Sequence, residues 1–311
     1  MNWEPQTAIQ LYSVRSLTNS LPEIIRRVAD AGYDGVEFAN RFQEESPESV
    51  AAVLEETEIE PVAVHADLST IEKTLDGDAD LIERCQIIGC DTLIVPHLPT
   101  GEFRTRQAVR SLSYRLRDVA AGLGDYDMHL GLHNDRRLLA PLLPDGAHTL
   151  VEETPVPARV GDTLQTMARR WEPKDPEQIS SETPLWNLIA RTRPSELCFE
   201  VEVAEIQTAG YDPGTALELF DGRAEMIHLR DVASAGFLSG YENVPHGDGI
   251  VEMDCIIEAA TRTGVDWIVY ENELDSDPNQ KIEEGASLLD RIIAESQSSS
   301  ESETALQATQ S

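Results

Sequence analysis

Glu225-Met226-Ile227-His228-Leu229-Arg230-Asp231 and Trp267-Ile268-Val269-Tyr270-Glu271-Asn272-Glu273 are short apolar runs that end in charge or imidazole. Between them lie Val244-Pro245-His246-Gly247-Asp248-Gly249 and a stretch with helical spacing. A buried strand finishing in polar residues, then a loop and a helix, is how a parallel α/β protein presents chemistry at the carboxyl edge of its sheet. If these two runs are the end of a closed sheet, the earlier strands must converge on the same edge.

They recur in the required rhythm. Thr7–Val14, Gly35–Ala39, Pro61–Leu68, Thr92–His97 and His129–Asp135 read as strands one to five. The intervals carry helical patterns: Ser20 with Glu23 forms a capping box before Leu21, Ile24, Ile25 and Val28, Ser46-Pro47 opens a second helix, and a third runs to about Ile88. Strand starts are spaced by roughly 25 to 36 residues, the length of one βα unit. Residues 136–183 break the rhythm. They are rich in Pro and acidic residues, with one helical stretch at Asp162–Trp171, and read as an insertion after strand five that could form a lid or an external loop. Strand six returns at Leu197–Val203, and the opening runs are strands seven and eight. The expected fold is a (β/α)8 TIM barrel over residues 1–295, with 296–311 as a disordered, low-complexity acidic tail. A doubly wound sheet is the second architecture, but the first βα turn has no glycine-rich phosphate loop.

Composition bounds the function. A net charge of −33 accompanies 41% hydrophobic residues, enough for a core. The lysines are Lys73, Lys174 and Lys281, and an acidic, lysine-poor surface resembles that of proteins from salt-loving organisms, where salt screens self-repulsion. Such a surface opposes nucleic-acid and anionic-membrane binding. Cys85, Cys90, Cys198 and Cys255 form no CxxC pair, the start shows no signal-peptide pattern and no run reaches transmembrane length, so a soluble cytoplasmic protein is expected.

Strand side chains alternate between faces, so parity sorts them. Leu197, Phe199, Val201 and Val203 share one apolar face, which leaves Cys198, Glu200 and Glu202 toward the barrel axis. The same count turns His228 and Arg230, then His129, Gly131, His133 and Asp135, inward, with Glu271 following Val269. It also places Gln10, Tyr12, Glu37, His65 and His97 on inner faces near strand ends. Four inward histidines at carboxyl ends, His65, His97, His133 and His228, among several carboxylates are hard to explain as packing, because unpaired buried charge is costly. A divalent cation would compensate the charge and use the imidazole nitrogens; a merely polar mouth is the other reading.

Taken in order, Gly32-Tyr33-Asp34-Gly35-Val36-Glu37, Gly131-Leu132-His133-Asn134-Asp135, Ala209-Gly210-Tyr211-Asp212-Pro213, Ile227-His228-Leu229-Arg230-Asp231, Gly247-Asp248-Gly249-Ile250-Val251-Glu252 and Val269-Tyr270-Glu271-Asn272 carry a resemblance. The chain resembles the sugar phosphate isomerase/epimerases with a xylose-isomerase-like barrel, including the inosose dehydratase and tagatose epimerase branches. The resemblance implies a divalent metal, manganese first and magnesium, cobalt or zinc as alternatives, held from strands five to eight. On this chain it assigns His228, Glu271 and Glu202 as ligands. The expected strand-five Glu position falls on Leu138, so Asp135 would substitute, or the insertion would supply a carboxylate, or the metal would be lost. It further implies that Glu271 and Glu202 act as acid/base groups, while Glu37, His65, His97, His133 and Arg230 bind the substrate.

The leading expectation is therefore a metal-dependent sugar or sugar phosphate isomerase/epimerase, abstracting a proton next to a carbonyl through a metal-stabilised enediolate, or a related cyclitol dehydratase. A sugar-binding barrel that has lost its chemistry is the second, and an endonuclease of the same superfamily the third, disfavoured by the acidic surface. The expected partner is a small-molecule sugar or sugar phosphate, with a homo-oligomer left open.

Overall fold

The structure is a computed structural model that describes residues 5–145, 175–220, 222–236 and 240–309. The helix expected at Asp162–Trp171 and the middle of the insertion lie outside the described residues. Among those described there are ten strands: β1 Gln6–Gln10, β2 Gly35–Phe38, β3 Glu60–His65, β4 Thr92–Val95, β5 His129–His133, β6 Cys198–Glu202, β7 Ala224–Leu229, β8 Asp231–Gly236, β9 Gly240–Val244 and β10 Trp267–Tyr270. β1 to β7 pair in sequence, and β10 closes the barrel between β7 and β1, all parallel. The expected eight-stranded barrel is what the chain forms.

The helices are α1 Leu21–Ala31, α2 Pro47–Thr57, α3 Leu68–Leu75, α4 Leu81–Ile88, α5 Arg106–Gly124, α6 Pro184–Arg191, α7 Val203–Thr208, α8 Pro213–Phe220, α9 Met253–Thr263 and α10 Pro278–Thr309. The Ser20/Glu23 capping box is present at α1, and Pro47 sits at the start of α2 behind the Ser46 cap. The single helix expected up to Ile88 is instead two. Asp76-Gly77-Asp78 breaks it, with Gly77 at φ 84°, a left-handed conformation that glycine adopts without steric cost. α10 continues past Glu295, where the low-complexity composition begins, to Thr309. No helix among the described residues is long and apolar enough to cross a membrane.

Two apolar layers flank the sheet. The outer one joins alternate strand residues such as Ile9, Leu93, Leu132, Phe199, Ile227 and Ile268 to the helices. The inner one is small: Ala8, Val62, Ala63, Ile94, Met226 and Val269, with Trp267 against it. Two residues further along the same strands come Gln10 after Ala8, His65 after Ala63, His228 after Met226 and Glu271 after Val269. The apolar plug therefore carries a polar layer about 7 Å above it, toward the carboxyl ends.

The antiparallel hairpin β8–β9 was not anticipated, since its alternation is weak and Gly and Ser interrupt it. It grows from the end of β7 and is pinned by Asp231. That carboxylate is fully buried and accepts backbone N–H groups of Val232 (2.8 Å), Gly247 (2.8 Å), Gly249 (3.0 Å) and Val251 (3.2 Å). The Gly247-Asp248-Gly249 motif is thus a loop wrapped around an anion of its own chain. A Cβ on Gly249 would lie 2.0 Å from Asp231 Oδ1 and 2.4 Å from the Val232 carbonyl oxygen. Gly249→Ala is expected to cost about 1–3 kcal/mol in thermal unfolding, and an unchanged melting temperature would show that this loop is not locked.

Candidate active site

The polar layer divides around the ring of His228, which is 0% exposed. On its Nε2 side, Glu37 from β2, His65 from β3, His133 from β5 and Glu200 from β6 meet. Glu200, also 0% exposed, is the hub. Its Oε2 accepts from His133 Nδ1 at 2.7 Å, while its Oε1 lies 3.1 Å from His65 Nε2 and 2.8 Å from His228 Nε2. His65 Nε2 also donates to Glu37 Oε1 at 2.9 Å. Glu37 Oε2 is 3.1 Å from His228 Nε2 but misaligned, so that both atoms are buried without a hydrogen-bond partner. The donor atoms of His133, Glu200 and His228, and those of Glu37, His65 and Glu200, each lie within 4.8 Å of one another.

These carboxylates set the protonation of the rings. Burial alone would lower the pKa of His65, but Glu37 and Glu200 outweigh it and push the group from 6.5 up to about 10. Burial likewise opposes charge on His228, and Glu200 and Glu37 drive it well above the usual value. Glu200 would be raised by burial; the His228 and His65 rings hold it well below the carboxylate range instead. In metal-free protein a raised His65 stabilises the fold fully below 6.5, and that contribution is lost as pH rises through about 10. The denaturant midpoint of chelated protein is therefore expected to fall across this window, and a midpoint flat to pH 10 would contradict the pairing.

On the Nδ1 side of His228 sit Glu271, Glu202 and Arg230. His228 Nδ1 donates to Glu271 Oε2 at 3.0 Å. Glu202 is the last residue of β6 and caps α7 by accepting from Ala204 N at 2.9 Å. Its Oε2 accepts from Arg230 Nε at 3.0 Å, and the rest of that guanidinium goes to Glu205 (3.0 Å), Glu273 (3.1 Å) and Asn243 of β9 (3.0 Å). Burial, reinforced by the adjacent negative Glu271, pushes Glu202 well above the usual carboxylate range. Burial would raise Glu271 too, but the His228 hydrogen bond and the Arg230 charge hold it well below that range. Burial and neighbouring charge thus drive two adjacent carboxylates in opposite directions, the pattern that separates an acid from a base within one site.

Of the residues singled out from sequence, the barrel brings together Glu37, His65, His133, Glu202, His228, Arg230 and Glu271. His97 stays exposed at the rim, lining a cleft of about 620 Å³ with Asp67 and Arg137. Asp135 caps the turn Arg136–Leu139, accepting from Arg137 N at 2.7 Å, and its carboxylate pairs with the Arg137 guanidinium away from the cluster. Leu138 is buried in the outer apolar core, so the strand-five donor at the cluster is His133. Tyr12 is exposed under Arg15, and His246 is half-buried, stacked on Tyr270 and bonded to the Leu229 carbonyl at 2.9 Å. Glu200 is the residue the site expectation omitted, although parity had turned it inward.

A family model described as a xylose isomerase-like TIM barrel matches residues 25–292. The chain belongs to this family. Among solved structures, this xylose isomerase-like barrel is similar to a sugar phosphate isomerase/epimerase from Parabacteroides distasonis ATCC 8503, with a TM-score of 0.68, 16% identity, and 94% of this chain and 95% of that one covered. It is also similar to an IolI protein with a bound zinc atom (TM-score 0.65, 12% identity, 93% and 98% covered). A third is the probable 3-DHS dehydratase AsbF from Bacillus anthracis (TM-score 0.64, 15% identity, 91% and 98% covered). At these identities the likeness shows the fold. None of the curated proteins matches the chain.

Proposed function

We propose that this xylose isomerase-like barrel is a metal-dependent enzyme that removes a proton next to the carbonyl of a small sugar or cyclitol. The observation that carries the reading is the pair of buried atoms Glu37 Oε2 and His228 Nε2, in ion-pair contact but without a hydrogen bond, inside a knot of imidazoles and carboxylates. Left alone, such a knot can neutralise itself only by holding protons on His65 and His228. A mixed nitrogen and oxygen donor set suits manganese, cobalt or zinc, with magnesium a weaker match. His133, Glu200 and His228 would hold the ion, three donors from adjacent strands; relative to the ligands expected from sequence, His133 takes the place given to Asp135, and Glu200 that given to Glu202. A divalent cation bound there supplies Lewis acidity toward negative charge developing on the substrate oxygens.

The rest is done by the chain's own side chains. Ionised Glu271, oriented by His228 and Arg230, takes the proton from carbon. Protonated Glu202, beside it, returns a proton. Delivered to the neighbouring carbon or to the opposite face, that proton completes an isomerisation or epimerisation. Delivered to a departing hydroxyl, it completes a dehydration, which keeps the cyclitol dehydratase as the second reading. Arg230 directs four of its five N–H groups to Glu202, Glu205, Glu273 and Asn243, so its role is to tune Glu202 and Glu271.

Purified protein in molar salt, offered ketoses, ketose phosphates and keto-cyclitols, is expected to turn over one class, to stop on chelation and to recover with manganese. A metal-free protein that is inert toward every class and still binds a sugar would favour the non-catalytic barrel.

A further inference from the structure

We infer that Lys281 is a positioning residue, whose ammonium holds the segment carrying Glu271 and Glu273 in place at the mouth of the barrel. This rests on the reading of Glu271 as the base. Lys281 belongs to the first turn of α10 and is only 3% exposed. Its Nζ donates to three backbone carbonyl oxygens, those of Ser13 and Asn272 at 3.0 Å each and that of Leu274. Three protons meet three acceptors. No carboxylate among the described residues is in ion-pair contact with the group, although the chain has 57 acidic residues. The place is unfavourable for a cation. Burial removes an ammonium from water, and the amino end of a helix favours negative charge. In a chain whose lysines are Lys73, Lys174 and Lys281, an ammonium kept there against both effects is not explained by packing.

What the three carbonyls share is the seam where the first and last barrel strands close. β1 and β10 pair from Gln6 with Trp267 to Ile9 with Tyr270, and their ladder stops there. Ser13 and Asn272 lie just past its last rung, one on each side of the seam. Asn272 N donates to Ser13 Oγ at 2.9 Å, and the Lys281 ammonium ties together the carbonyls of the same two residues. Leu274 N donates to Asn272 Oδ1 at 3.0 Å, so the turn after β10 closes on the same cation. Glu271 N donates to the Leu229 carbonyl at 3.2 Å, which ties β10 to β7 but not to β1. The segment so fixed holds Glu271, 3.0 Å from His228 Nδ1, and Glu273, which accepts from Arg230 at 3.1 Å and from Asn243 at 2.9 Å. Without the ammonium, three carbonyl oxygens meet at the seam without the donor they share, and the segment moves away from β1. A shift of about 1 Å at a reacting group costs about 10²-fold in rate.

The test uses the full chain, manganese-loaded in molar potassium chloride, with Lys281→Met, which keeps the bulk and removes the charge. Well below its unfolding midpoint, this variant is expected to retain manganese while kcat falls about 10²-fold and KM changes little. In chelated protein the His228 Nδ1–H resonance, set by the contact with Glu271, should move. Lys281→Ala vacates the volume of an n-propylammonium ion. Its kcat and its His228 resonance should recover in molar n-propylammonium chloride and not in tetramethylammonium chloride, whose cation is too bulky for the space. A wild-type kcat or an unmoved resonance in Lys281→Met, or equal recovery of Lys281→Ala in the two salts, overturns the assignment. Failure of both variants to fold in every salt makes Lys281 a structural residue and also overturns it. A wild type that turns over nothing removes the reading of Glu271 as base, while the resonance still decides whether Lys281 holds the segment.

Discussion

Glu200→Gln is expected to empty the centre. The amide keeps the shape of the side chain but removes the negative charge that His65, His133 and His228 share. Loss of an outer partner of a ligand already lowers metal affinity by about 10–100-fold, and Glu200 is in direct contact with all three rings, so manganese affinity should fall by more than about a hundredfold. The metal-free variant should also be less stable, because breaking a buried charge pair by removing one partner costs about 3–5 kcal/mol. His65 and His228 should titrate nearer their ordinary value, since Glu200 is among the groups that raise them. Calorimetric titration with manganese and histidine NMR titration check both effects. Unchanged affinity would remove Glu200 from the centre.

Glu271→Gln is expected to leave the protein folded and metal-loaded and to abolish turnover by about 10²–10⁴-fold, the contribution of one positioned general base. The His228 ring that orients it would still find an acceptor in the amide oxygen. Glu202→Gln should behave differently. An amide has no proton to give, and its single oxygen can keep only one of the two contacts that Arg230 and Ala204 make with the acid. Removal of the substrate proton should therefore survive in Glu202→Gln while product formation fails, and both should fail in Glu271→Gln. Equal behaviour of the two variants would mean that the carboxylates do not divide the labour.

Period-2 alternation made the barrel readable, since an all-apolar face on β6 forced Glu200 and Glu202 inward and the same logic placed His228 and Glu271. What alternation cannot say is which of two consecutive inward residues meets which partner. Glu202 stands in register with His228 across the β6–β7 pair, yet the contact to His228 Nε2 is made by Glu200, one inward position lower. The ladder between these strands shifts register at Phe199/Glu200, a distortion with no signature in either strand alone. Glu37 and His65 reach the same point from across the barrel, a proximity fixed by closure and not by any local spacing. The family resemblance pointed past the end of strand five to Leu138, but the chain turns there, buries Leu138 and spends Asp135 on Arg137, leaving His133 at the strand end as the donor. The β8–β9 hairpin has no local signature for a related reason: it is held by Asp231, whose acceptors are used by backbone N–H groups distant in sequence.

The central claim, proton removal next to a carbonyl by Glu271 beside a metal centre, is most directly tested by deuterium wash-in. The manganese-loaded protein would be incubated in deuterated molar-salt buffer with ketoses, ketose phosphates and keto-cyclitols, and the carbon beside the carbonyl followed by NMR. Deuterium should enter that carbon in one substrate class with the wild type and with Glu202→Gln, and not with Glu271→Gln or chelated protein. No wash-in by the wild type with any class, or wash-in that persists in Glu271→Gln, would contradict the account.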